Sequence, residues 1–515
     1  MKTFFQLCLG ALILMHCLEI KAENNNLKIT NRNSNNPKVM VGDKQTQYNI
    51  RMDKENPEIA QVSISQYLED DILYMAPGAN QLPRRWATFV HNLEVRDENG
   101  HEIPVQELED AQWKVNHEIG KQVTVTYEVV LDHDEHQWSG GLDGVAYRTD
   151  WGVFYTGRAL FLFNGANAEA INVTFDIPDD WKVTTPWQGV PHIKNSFLAI
   201  NHSDLSQSMI FAGTHEEMSF KREGFELIFA LGGSQVLLKK DEYASLAQGV
   251  LDYYISLMGG LPKPPPNNPF QKAMVIINNS NITDGEVIGN NISILIEEDG
   301  GPMSQMLSTF IFAHEFFHLW NGKSFVPAAD DTEWFKEGFT NYYTLKALHH
   351  VGFLDDNAFF GTLNNLFYQR YNNDDGLGKL SMTQGEEKHA HWGLIYGGGL
   401  FIGISQDMLI RKHSGNQKSV DDLLRALYTE FGGTSQMYTI KDIQRILNDL
   451  NGTDQTNFFR DYIFGTERIP IDAYLKMAGL DAKIQDGNLT IVQKGGLSSF
   501  EKSMVTGMLG SIKGK

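Results

Sequence analysis

The stretch Ala313-His314-Glu315-Phe316-Phe317-His318-Leu319-Trp320 decides how this chain is read. It lies in a run rich in large apolar residues (Ile311, Phe312, Phe316, Phe317), whose spacing predicts a buried helix over about residues 302–320. Positions four apart on a helix share a face. The imidazoles of His314 and His318 therefore leave the same side and can hold one metal ion. Glu315 is one residue on and turned by about 100°, which suits a carboxylate that takes a proton from water rather than one that ligates. Two core histidines on one helix would fit the same letters. Against that, three polar groups in so apolar a helix each need a partner. A further acid also follows in Trp334-Phe335-Lys336-Glu337-Gly338-Phe339-Thr340-Asn341-Tyr342-Tyr343, with eighteen residues between His318 and Glu337. Two neutral imidazoles and one carboxylate leave zinc a vacant fourth position, the arrangement of catalytic sites.

Upstream the pattern is different. From about Gln47 to Gly232 short stretches alternate with period two, such as Gln61-Val62-Ser63-Ile64-Ser65 and 122–130, separated by Pro77-Gly78, Asn99-Gly100 and Pro178-Asp179-Asp180. This predicts an all-β sandwich or saddle. The loop His133-Asp134-Glu135-His136 reads as solvated. Downstream, Ala273–Ile277 and Asn291–Ile296 read as strands. Helical periods then cover about 302–320, 332–349, 391–412, 419–431, 439–450 and 458–464. Ser419 with Asp422 is a helix-start signal, and Asn451-Gly452 a stop.

Lysine and arginine total 43 against 64 aspartate and glutamate, a net charge of −21. A field of that sign repels phosphates, so the chain is a poor candidate for binding nucleic acid or an anionic membrane surface. Residues 1–22 read as a signal peptide: Lys2, an apolar core from Phe4 to Leu18, then Ala22 before a polar run. Both cysteines, Cys8 and Cys17, lie there, so the expected mature chain has no disulfide and no thiolate metal site. The expectation is an exported protein, periplasmic or secreted, with no membrane span in the mature chain. The sequence sets no oligomeric state.

The spacing of His314, Glu315, His318 and Glu337 resembles that of the gluzincin metallopeptidases. The fuller run through Asn321-Gly322-Lys323, Pro327 and Trp334–Tyr343 resembles the glycyl aminopeptidase family more closely, as do Met75-Ala76-Pro77-Gly78, the β segment ending near Trp113, and Tyr396-Gly397-Gly398-Gly399-Leu400. The resemblance implies an α+β multidomain chain. Its parts would be a β domain at 45–234, a thermolysin-like zinc catalytic domain at 235–375, a helical domain at 376–480 and a short tail at 481–515. That tail is too short for the PDZ domain the family often carries. One Zn2+ per chain, peptide substrates and release of small N-terminal residues (Gly or Ala) are implied with it. So is a glutamate for the substrate amine, matched here by Glu286 in Thr283–Asn291, a stretch that departs from the family pattern by lacking its histidine. A tyrosine for the oxyanion is matched by Tyr396. Asn291–Ile296 is then the expected edge strand for substrate, and Asn341 a candidate to orient a ligand histidine. An endopeptidase without an amine anchor, or a binding protein with a vestigial zinc site, stays open at this stage.

Overall fold

A computed structural model describes residues 45–138, 141–166, 169–297 and 300–510. The leader, with Cys8 and Cys17, lies outside the described residues. The fold is mixed α+β, with a many-stranded N-terminal part and a helical C-terminal part. The chain forms two compact units. One comprises residues 45–220, Glu226–Lys239 and Lys272–Ser308; the other Lys221–Phe225, Lys240–Gln271 and 309–510.

The first unit is built on an eight-stranded sheet that includes Gln47–Met52, Ile59–Tyr67 and Gln122–Val130. In these strands every second side chain is buried, as the period-two pattern requires. Ile50, Val62, Ile64 and Val125 meet the core from this sheet, together with residues of two smaller four-stranded sheets. The loop expected to be solvated instead buries His133. Its ring stacks on Phe89 at 3.7 Å, and burial pushes its pKa down to about 3.

A five-stranded sheet completes this part of the fold. Its spatial order is Glu216–Arg222, Phe225–Gly232, Lys272–Ser280, Asn291–Glu297, Asp284–Ile288. The middle three strands run parallel, and Lys272–Ser280 is buried on both faces, as parallel sheets require. Two corrections follow. Strands before residue 234 already belong to this sheet. The edge strand is Asp284–Ile288, antiparallel to Asn291–Glu297, which lies inside the sheet.

The helices used below are α1 (Lys240–Met258), α2 (Gly301–Phe317), α3 (Glu333–His350), α4 (Gly399–His413, entered through a π-helical turn at Gly393–Gly398), α5 (Val420–Phe431), α6 (Ile440–Asn451) and α7 (Ser499–Leu509). In the second unit α3 is buried along nearly its whole length and packs against α1 and α4. Helices α5 and α6 start in capping boxes, Ser419 with Asp422 and Thr439 with Asp442. No stretch after the leader was expected to reach membrane-spanning length, yet Gly393–His413 is long and apolar enough. It is almost wholly buried and serves as a core helix. Residues 480–509, expected to be a short tail, form a hairpin (Leu480–Gln485 with Asn488–Gln493) and α7. The latter packs on α3 and α4.

Candidate metal centre

Helix α2 delivers His314 in its last regular turn. Beyond Phe317 the backbone tightens, with His318 N–H bonding to the Glu315 carbonyl. That tight turn places the Asn321 carbonyl 2.9 Å from His318 Nδ1. An Nδ1–H donating there leaves the lone pair on Nε2, the usual second contact of a ligating histidine. The Asn321 amide in turn donates to the Lys336 carbonyl and to Thr340 Oγ1, tying the turn to α3. The orienting role considered for Asn341 thus falls to Asn321; Asn341 Nδ2 is buried with no hydrogen-bond partner among the described residues.

Helix α3 contributes Glu337 in its first turns. Glu337 Oε2 lies 3.3 Å from His314 Nε2 and 3.3 Å from His318 Nε2, and the two Nε2 atoms are 3.2 Å apart. Ligands about 2.05 Å from a tetrahedral zinc stand about 3.3 Å from one another. The triangle therefore has the size of one face of a zinc tetrahedron. Three lone-pair atoms converging at this distance in a buried site repel one another unless a proton or a metal ion lies among them. Glu315 is buried too, its Oε1 4.0 Å from His314 Nε2.

The electrostatics are those of an anion facing imidazoles. Burial alone would lift the Glu337 carboxyl, but Lys388, His318 and His314 together hold it well below the carboxylate range. Burial pushes His318 toward its neutral form; Glu337, then Glu315, outweigh it and raise its pKa. Glu337 Oε1 faces Lys388 Nζ at 3.2 Å and Lys336 Nζ at 3.7 Å, and Lys388 also bridges to Glu333 Oε2 at 2.7 Å. Sequence reasoning missed these charges. Their signal is Glu333, Lys336 and Glu337, charged at helical spacing among the large aromatics Trp334, Phe335 and Phe339.

Tyr396 sits on the π-helical turn, a distortion common at functional sites. Its ring lies near-parallel to His314, centroids 6.5 Å apart, and stacks on Trp392 at 5.2 Å. Glycines explain the approach. A Cβ on Gly399 would run into the Trp334 carbonyl, and one on Gly338 into the Gly399 backbone, so α3 and α4 meet backbone to backbone. A second grouping, Asp374, Asp375 and His391, is satisfied from within. Asp374 accepts from His391, Gly376 and Leu394 and anchors the start of the π turn.

Glu286 belongs to the first unit, on the edge strand Asp284–Ile288. It is buried among two more acids. Asp143 is fully buried, with both carboxylate oxygens unpartnered among the described residues, and Gly144 backs onto Glu286 so closely that a Cβ there would lie 2.6 Å from its Cγ. Burial, then Asp284 and Glu286, push the Asp143 carboxyl far up; burial lifts Asp284 to about 6. Arg158, donating to the Gly144 carbonyl at 2.6 Å, is the neighbouring cation.

Fold and site together define a metallopeptidase-type hydrolase. The sequence matches the Peptidase M61 N-terminal domain over residues 47–214 and the M61 glycyl aminopeptidase domain over residues 308–396. The chain belongs to the M61 peptidase family. Among solved structures, it is similar to an aminopeptidase N family protein from Idiomarina loihiensis (22% identity, TM-score 0.72, covering 86% of this chain and 79% of that one). It is also similar to a mutant M1 zinc metallopeptidase from Deinococcus radiodurans (10% identity, TM-score 0.52, 83% and 95%). At these identities the likeness is one of fold. No curated protein matches the sequence.

Proposed function

We propose that this chain is an exported zinc aminopeptidase that removes small N-terminal residues, such as Gly or Ala, from peptides. The observation that carries the reading is the triangle of His314 Nε2, His318 Nε2 and Glu337 Oε2, sized for zinc, with Glu315 beside it. Bound there, zinc supplies Lewis acidity and lowers the pKa of water to about 7. Glu315 takes the proton of the attacking water and passes it to the leaving amine. The Tyr396 hydroxyl donates to the oxygen on which negative charge develops. Glu286 receives the substrate α-ammonium. The setting of Glu286 supports this role, since a carboxylate buried beside Asp143 and Asp284 is placed to gain from a bound cation. The preference for small residues rests on the family resemblance, and export on the leader-like residues 1–22. The partners of this reading are peptides, with no nucleic acid and no membrane span in the mature chain.

Aminoacyl amides and N-blocked peptides, assayed with and without chelator on wild type and Glu286→Ala, test it. The expected result is chelator-sensitive release of small residues from free N-termini only, with that discrimination lost in Glu286→Ala. Efficient internal cleavage of a blocked peptide would replace this reading with an endopeptidase.

A further inference from the structure

We propose that Lys388 is a positioning residue that restricts Glu337 to donating through one oxygen. The inference rests on the reading that His314, His318 and Glu337 hold zinc.

Glu337 divides its two oxygens between opposite partners. Oε2 faces both imidazoles at 3.3 Å. Oε1 faces the ammonium of Lys388 at 3.2 Å, with that of Lys336 at 3.7 Å. Lys388 is held from its other side by Glu333 Oε2 at 2.7 Å, and Lys336 by Glu333 Oε1 at 3.4 Å. All four side chains are buried. Two acids and two lysines balance, which makes the burial tolerable, whereas removing one member leaves an uncompensated buried charge.

The consequence lies in how a carboxylate binds a metal. It can donate through one oxygen or through both. A catalytic zinc site needs three protein donors and one vacant corner; a second oxygen from Glu337 would take that corner. With Oε1 engaged in a charge-assisted hydrogen bond, rotation toward the metal would break the Lys388–Glu337 contact and leave the Lys388 ammonium to Glu333. Lys388 is placed for this by backbone packing. It follows the 3-10 turn Gly385–Glu387, and a Cβ on Gly385 would run into the Asp330 carbonyl and meet Glu333 Cβ at 2.8 Å. That turn is therefore pressed against the start of α3, and Lys388 reaches under Glu333 and Glu337.

Full-length wild type, Lys388→Met, Lys388→Arg and Lys388→Met/Glu333→Gln test the idea with two readouts besides turnover. The first is zinc affinity by competition with a chromophoric chelator; the second is the visible absorption of the Co2+-substituted protein, which weakens as coordination rises above four. Lys388→Met should lose roughly 10- to 100-fold in zinc affinity and show the weaker cobalt bands, and Lys388→Arg should return toward wild type in both. The double variant removes one charge of each sign, so it remains foldable if the single variant is not. It should keep the weakened cobalt bands. Wild-type affinity and bands in the Met variants would overturn the proposal, and so would a double variant that restores both, because Lys388 would then only neutralise Glu333. A wild-type protein that binds neither zinc nor cobalt would overturn the underlying zinc reading instead.

Discussion

Asp284→Asn should stabilise the protein at alkaline pH and not at acid pH. Burial holds this carboxyl at about 6, against an ordinary 3.8. The folded state thus binds its proton more tightly than the unfolded chain, so stability falls as pH rises from about 4 to about 6 and the penalty is complete above that. A difference of about 2 pH units corresponds to roughly 3 kcal/mol. Asparagine keeps an oxygen to accept the Gly285 N–H, bonded at 2.9 Å, and removes only the charge. For a cooperative unit of this size the gain corresponds to a rise of roughly 6–12 °C in Tm at about pH 8, and to almost none at about pH 4. Thermal unfolding at both pH values reads it. An equal shift at both, or a loss of stability at the higher pH, would refute the claim that burial disfavours the ionised Asp284 carboxylate. The same substitution should lower kcat/KM on substrates with a free amine, because a charge costly to the fold is kept for a ligand.

Other outcomes follow from the site. Glu315→Gln should retain the metal and lose hydrolysis by about 10²- to 10⁴-fold, measured as zinc content alongside turnover. Tyr396→Phe should lower kcat by about 10²- to 10³-fold with KM little changed; a pure KM effect would remove the hydroxyl from the chemistry. Gly399→Ala should destabilise by about 1–3 kcal/mol in thermal unfolding, since the added Cβ meets the Trp334 carbonyl, and should lower activity by displacing the turn that carries Tyr396.

Local patterns in the sequence carried what is local in the fold. The apolar period around His314 marks α2, although the helix stops at Phe317 because the Asn321 turn then folds back. Alternation marks the strands of the eight-stranded sheet, and Ser419 with Asp422 marks the start of α5. Long-range pairings left no local trace. Asp284–Ile288 is the edge strand only because Asn291–Glu297 also pairs with Lys272–Ser280. Lys388 reaches Glu337 from 51 residues away, and Asp143 joins Glu286 across more than a hundred. A single solvated-looking Lys or Asp in a loop gives no sign of such a partner. His133 misled for the same reason: its neighbours in sequence are charged, but its neighbours in space are Phe89 and Trp138.

The account depends on His314, His318 and Glu337 gripping one ion. Metal content by mass spectrometry on wild type and Glu337→Ala, each assayed for release of N-terminal glycine, tests this most directly. One zinc per chain with activity in the wild type, and loss of both in Glu337→Ala, is the predicted result. A Glu337→Ala protein that keeps its zinc and its turnover, or a wild type that hydrolyses peptides free of metal, would contradict it.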